Sequence, residues 1–301
     1  MPPGPPACAA SVPTLRAELR RLGRVVVAFS GGVDSAFLSW VANDTLGPDF
    51  VLAATAISPS LAPEEEADCR SLAAEWGLRW VGVPTAEMSD PRYVANGADR
   101  CAWCKTALMD ALAPLAEAEG ATVVLGVNVD DLGDHRPGQQ AAVARGAELP
   151  LVTAGFTKDD VRTWSRRFDL RTWDKPAAAC LASRLPYGTP VTIGSLGQVA
   201  RAESALRALG LGQLRVRHHG DVARVEVEEE RLAAVLEHRH DVVDALRRAG
   251  YRYVALDLEG FRSGSLNRAL VEGTQVEGAP VRVEGGQVQT EARPVVTERA
   301  R

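Results

Sequence analysis

From residue 24 onward the chain alternates between two hydrophobic periods. Residues 24–29 (RVVVAF) form a short β-branched apolar run, the pattern of a strand buried on both faces. Residues 30–35 are rich in Gly and Ser, and 36–46 return to helical spacing that stops at Gly47-Pro48. That predicts strand, tight turn, helix. Residues 51–57, 79–83 and 122–127 predict three more strands. Helical spacing fills 63–76, 105–119 and 157–168. The first of these opens with Pro63 and three glutamates and closes at Gly77, and the second closes at Gly120. Strands alternating with helices predict a parallel α/β sheet with helices on both faces.

The rhythm changes near residue 176. A helix over 195–209 ends at Gly210. Strands over 213–218 and 222–227 flank His219-Gly220-Asp221 as a hairpin, 229–249 reads as one helix, and 251–258 as a strand. The expected organisation is a parallel-sheet domain over 12–175 and a smaller α+β domain over 176–270. The tail, 271–301, rich in Gly, Pro, Glu and Val, is expected to be disordered. No internal repeat is present.

Composition narrows the class. The 301 residues are 46% hydrophobic and 24% charged, as in an ordinary globular protein, and the net charge of −5 argues against nucleic acid as a partner. No apolar run reaches the roughly 18 residues of a membrane helix. Residues 1–11 have no basic segment followed by an apolar core, so the expected compartment is the cytoplasm. Five cysteines, an odd number, do not suggest a disulfide framework.

Four groups of residues carry chemistry. Ser30-Gly31-Gly32-Val33-Asp34-Ser35 joins a buried strand to a helix. Glycines let a backbone approach an anion closely, the turn amides and positive helix end point at it, and the two serines add hydroxyls. Asp34 suits a Mg²⁺ or structural role. The GK[ST] ending of a γ-phosphoryl-transfer loop is absent. Next, Cys101 and Cys104 form a C-x-x-C beside Arg100 and Lys105, which would favour thiolate, and Cys180 stands in an aperiodic stretch. Three thiolates can hold a [4Fe–4S] cube with one iron open, or zinc with a histidine such as His135 as fourth ligand, and a redox C-x-x-C is a further alternative. Cys8 and Cys69 read as incidental. Third, Gly126 begins an acidic loop carrying Asp130, Asp131, Asp134 and Arg136 after the fourth strand, where a parallel sheet forms its ligand crevice. Its carboxylates are candidates to organise Mg²⁺ or to pair with Arg136. Arg184, Arg215 and Arg217 add cations near the domain junction, candidates to hold an anionic substrate, with Arg215 and Arg217 on one face of their strand.

The hexapeptide SGGVDS resembles the signature of the PP-loop ATP pyrophosphatases. These enzymes hold ATP pyrophosphate on this loop while a substrate oxygen attacks the α-phosphorus. Together with GVNVDDLGDHRPG, CLASRLPYGTPVT and YRYVALDLEGFRSGSLN, it resembles the LarE family of ATP-dependent sulfur transferases over residues 15–267. The resemblance implies an adenine nucleotide alpha hydrolase-like fold and a homo-oligomer. It implies conversion of carboxylates of a pyridinium biscarboxylate mononucleotide to thiocarboxylates for the nickel-pincer cofactor, with sulfide or another sulfur donor as partner. Family members carry either one sacrificial cysteine or three that bind a [4Fe–4S] cluster, and Cys101, Cys104 and Cys180 resemble the second kind. The resemblance also makes Arg215 and Arg217 substrate contacts and Glu203 their neighbour. The rivals are a PP-loop tRNA thiolation enzyme, an amidotransferase-type ligase, and a zinc-stabilised ATP-binding module without catalysis.

Overall fold

The computed structural model of the chain describes residues 10–132, 137–176 and 179–262. The proposed tail, together with Cys8, Asp134, His135 and Arg136, lies outside the described residues.

Strand β1 (Val25–Ala28) runs parallel to β2 (Val51–Ile57) on one side and to β4 (Thr122–Leu125) on the other, with β3 (Arg79–Pro84) outside β2. The sheet order is therefore β3-β2-β1-β4. The chain steps outward from β1 through β2 to β3, then returns to β1's free side. That reversal opens a crevice beyond the carboxyl ends of β1 and β4.

Alternation along β1 divides the core. Val25 and Val27 pack under α1 (Val12–Leu22), α2 (Val33–Leu46) and α8 (Lys158–Arg167). Val26 faces the other way, with Leu108 and Leu112 of α5 (Arg100–Glu119). Helix α3 (Pro63–Glu75) covers Phe29 and Ala53 on the first face. Short helices α4 (Pro91–Val94), α6 (Pro137–Val143) and α7 (Pro150–Thr153) complete the connections. Burial of a branched side chain contributes about 1.5–3 kcal/mol, so the valines of β1 anchor both layers.

The second unit begins at α9 (Ile193–Ala208). Strands β5 (Leu214–His219) and β6 (Val222–Val227) pair antiparallel, and β7 (Tyr253–Leu256) joins β6 in parallel. Gly220, at φ +62°, makes the left-handed hairpin turn.

Two sequence expectations are corrected here. Residues 229–249 are not one helix: a 3₁₀ turn over Glu229–Arg231 leads into α10 (Leu232–Glu237), and α11 (Arg239–Arg248) starts after His238. Val235, Val242 and Leu246 keep helical spacing across the break and reach one core, so periodicity gives no sign of it. Helix α5 starts at Arg100, five residues earlier than expected, which puts Cys101 and Cys104 in its first turns.

Candidate active site

Helix α2 begins directly after the Gly31-Gly32 turn, with Gly32 as N-cap and no side chain capping its first amides. Those amides and the positive helix end are left for an anion. Gly31 has φ +68°, and a Cβ there would lie 2.8 Å from Cys69 Sγ. The position therefore requires glycine twice, once for backbone conformation and once for space. The serines brace the turn. Ser30 and Ser35 hydroxyls lie 3.0 Å apart, Ser35 Oγ accepts from the Ser30 amide at 3.2 Å, and it donates to the Gly32 carbonyl at 3.2 Å.

Asp34, in the first turn of α2, accepts from Asn128 Nδ2 at 2.9 Å. Burial pushes its carboxyl up, opposed by the Asn128 hydrogen bond and by Lys158. Asn128 and Asp131 exchange backbone-to-side-chain hydrogen bonds at 3.2 Å, and Asp130 accepts from the Lys158 amide at 2.8 Å. Asp130 thus caps the start of α8, and Asp131 stands behind Asp34 across Asn128. Gly126, after β4, touches the same helix end. A Cβ there would fall 2.7 Å from the Ser35 amide nitrogen and 2.8 Å from its Cα.

These elements border a cavity of about 360 Å³ whose walls include Ser30, Gly32, Asp34, Ser35, Gly126, Cys104, Lys105 and Cys180. The phosphate loop and two of the three cysteines therefore share one space. Cys101 and Cys180 are exposed and Cys104 is half-buried. Burial, reinforced by the neighbouring Cys180 thiol, pushes the Cys104 thiol up to about 12, and Lys105 opposes the shift only in part. The expected thiolate-favouring effect of Lys105 is overridden, because desolvation penalises any buried charge. Burial also lowers the Lys105 ammonium. Among the described residues no group of three or more His, Cys, Asp or Glu is gathered closely enough to hold a metal ion. Cys104 and Cys180 on the cavity wall, with Cys101 one turn from Cys104 on α5, are the donor type that a thiolate-bound metal or cluster uses.

Arg100 does not serve the cysteines first. Its guanidinium donates to Asn96 Oδ1 at 2.6 Å and to the Ala182 carbonyl at 2.9 Å, fastening the Cys180 segment to α5. From the other side Arg184 donates to the carbonyls of Ala179 and Cys180 at 2.7 and 3.0 Å. Arg184 is itself clamped by Glu203 on α9 at 2.8 and 3.0 Å. Glu203 is fully buried and also accepts from Arg207 at 2.7 Å and from the Val216 amide at 3.0 Å. Arg217 pairs with Glu226 at 2.9 and 2.8 Å and donates to the Ser183 carbonyl at 2.8 Å. Arg215 stacks on Phe261 at 5.0 Å, and burial together with the charge of Arg184 pushes its guanidinium down to about 10. Arg184, Arg207, Arg215 and Arg217 thus crowd around the carboxyls of Glu203 and Glu226.

Arg184 and Arg207 hold the Glu203 carboxyl below the usual value of 4.5 despite its burial. A lowered carboxyl contributes stability that is complete above 4.5 and lost as pH falls through the folded-state value. Glu203→Gln should remove that acid dependence and cost about 3–5 kcal/mol, since it leaves buried guanidinium charge without its counter-ion. Denaturant titrations of both proteins between pH 7 and 3 read both effects.

Lys175 was not among the expected site residues. Its ammonium lies 3.7 Å from where a Gly31 Cβ would stand and bonds Glu65 at 2.8 Å and Asp68 at 2.6 Å. Cys69, read as incidental, packs directly beneath the phosphate loop with its thiol pushed by burial up to about 11. No local pattern marks either residue, because both contacts join segments far apart in the chain.

A glycine turn between β1 and an uncapped helix, at the reversal point of a parallel sheet, is the architecture of a PP-loop domain. Relatives carry the identification further. An uncharacterized protein of Synechocystis sp. is 45% identical over 261 residues, which span 86% of this chain and 97% of that protein. The pyridinium-3,5-bisthiocarboxylic acid mononucleotide synthase of Lactiplantibacillus plantarum is 40% identical over 260 residues, 86% of this chain and 94% of that enzyme. An uncharacterized protein of Methanocaldococcus jannaschii is 23% identical over 248 residues, 80% of this chain and 91% of its own length. No model of a protein family matches the chain. The chain belongs to the LarE family and is an ATP-dependent sulfur transferase. Among the described residues no helix is long and apolar enough to cross a membrane.

Proposed function

We propose that the chain converts the carboxylates of pyridinium-3,5-biscarboxylic acid mononucleotide to thiocarboxylates, in the biosynthesis of the nickel-pincer nucleotide cofactor. The observation that carries this reading is the single cavity lined by both the phosphate loop and Cys104 and Cys180. A substrate carboxylate oxygen attacks the α-phosphorus of ATP, the bond to the β-phosphate breaks, and pyrophosphate leaves. The uncapped amides of α2 and the turn oppose the charge growing on the departing oxygen. The acyl adenylate then takes a sulfur nucleophile at its carbonyl carbon, and AMP departs with the original carboxylate oxygen.

Asp34 and its acidic neighbours would hold Mg²⁺, which when bound neutralises phosphate charge. Cys101, Cys104 and Cys180 would hold a [4Fe–4S] cluster, which when bound supplies an open iron for sulfide. Arg184 and Glu203 fix the Cys180 segment, and Arg215 and Arg217 receive the phosphate of the mononucleotide. In the same reading the enzyme works in the cytoplasm as a homo-oligomer supplied by sulfide or another sulfur donor, with the catalytic domain over 12–175 and the substrate domain over 176–270.

The reading is tested by incubating the protein anaerobically with ATP, sulfide and the mononucleotide, then weighing the products. Replacement of oxygen by sulfur in the mononucleotide, matched one to one by pyrophosphate, is the expected result. Pyrophosphate release that does not depend on the mononucleotide, or sulfur found instead on added tRNA, would refute it.

A further inference from the structure

Glu87 has no role in the account so far. It follows β3 in a 3₁₀ turn over Glu87–Ser89, is only 3% exposed, and lines the cavity that holds Ser30 and Ser35. Its Oε2 is buried and has no hydrogen-bond partner among the described residues. An acceptor left unmade inside a protein costs about as much free energy as a lost hydrogen bond, so such atoms are rare without a ligand to complete them. The carboxyl is therefore poised for a donor that arrives with the occupant of the cavity.

The sheet indicates which donor. The phosphate loop follows β1, and Glu87 follows β3, two places along the sheet. Neighbouring strands lie about 4.8 Å apart, so the two carboxyl ends are separated by roughly 10 Å. A nucleotide whose outer phosphates sit on the loop has its ribose, not its phosphates, at that reach. Phosphate oxygens would in any case repel a carboxylate, whereas ribose hydroxyls donate to one. In dinucleotide-binding parallel sheets an acidic side chain beyond the glycine-rich turn accepts from a ribose 2′-hydroxyl, which shows that the geometry can serve this role.

We propose that Glu87 is a specificity residue that accepts a hydrogen bond from a ribose hydroxyl of the bound ATP. The inference rests on the reading of the cavity as the ATP site. It extends that reading to the sugar and makes the enzyme selective against deoxyribonucleotides.

The test is a thermodynamic cycle on the full chain. Binding of ATP, 2′-deoxy-ATP and 3′-deoxy-ATP is measured calorimetrically for the wild type, Glu87→Gln and Glu87→Ala. The wild type should bind one deoxy analogue about 10- to 100-fold more weakly than ATP, the range for a hydrogen bond to a charged group. Glu87→Ala should lose a similar factor for ATP and be nearly indifferent to the missing hydroxyl. Without ligand, Glu87→Gln should melt no lower than the wild type, because the orphaned acceptor stabilises nothing in the empty protein. A structural role would instead lower that melting temperature and leave the ATP-to-deoxy ratio as in the wild type. An unchanged ratio in both variants overturns the inference. If the wild type itself failed to bind ATP, the fault would lie with the proposed ATP site instead.

Discussion

Cys180→Ala should abolish sulfur transfer while leaving substrate-dependent pyrophosphate release within a few-fold of the wild type. The thiol lines the cavity and is exposed, and its segment is held through backbone atoms by Arg184, Arg100 and Ser60, whose carbonyl accepts from the Leu181 amide at 2.8 Å. Removing the sulfur therefore leaves the loop in place and the phosphate turn untouched. The sulfur step should fall by on the order of 10⁴ or more, the scale seen when one member of an interdependent catalytic group is deleted. Cys101→Ala and Cys104→Ala should do the same if the three thiols act together. If Cys180 alone gave up its sulfur, those two variants would still complete one turnover. Single-turnover assays with iron and acid-labile sulfide analysis distinguish the two outcomes.

Gly126→Ala should weaken ATP binding more than it destabilises the fold. The added methyl would meet the Ser35 amide nitrogen and Cα at 2.7 and 2.8 Å, and both are backbone atoms of the first turn of α2. No rotamer change relieves such a clash. Either β4 or the helix end must move, which costs about 1–3 kcal/mol by the usual scale of overpacking. The functional loss should be larger, since the displaced turn carries the amides aimed at the phosphates, and a misplacement of about 1 Å can cost 10²-fold. Melting temperature and ATP affinity should therefore both fall, affinity more steeply. Gly194→Ala serves as a control: its added carbon would meet only Thr192 Oγ1, at 3.8 Å, on the exposed start of α9.

The strand, turn and helix that border the cavity were legible because they are local. A buried strand, a glycine turn and a helix occupy consecutive positions, so residues 24–46 announce the phosphate loop without help from the fold. Strand β2 falls on residues 51–57 as its apolar run predicts. What escaped depends on segments meeting across the chain. Helix α1 carries its buried Val12, Leu15 and Leu19 between charged residues and was not read from the pattern. Arg184 and Arg217 are buried against Glu203, Glu226 and backbone carbonyls, partners that α9 and β6 fix and that spacing along the chain does not reveal. Glu87 looks like any surface glutamate in sequence, and only the packing of its turn makes it an orphaned acceptor.

The central claim is that a substrate carboxylate oxygen captures AMP on the Ser30–Ser35 turn. Its most direct test uses mononucleotide labelled with ¹⁸O in its carboxylates, turned over with ATP and sulfide, with phosphorus NMR and mass analysis of the products. The account predicts one ¹⁸O in each AMP formed, none in pyrophosphate, and no ADP. Unlabelled AMP, or label recovered in orthophosphate beside ADP, would contradict it.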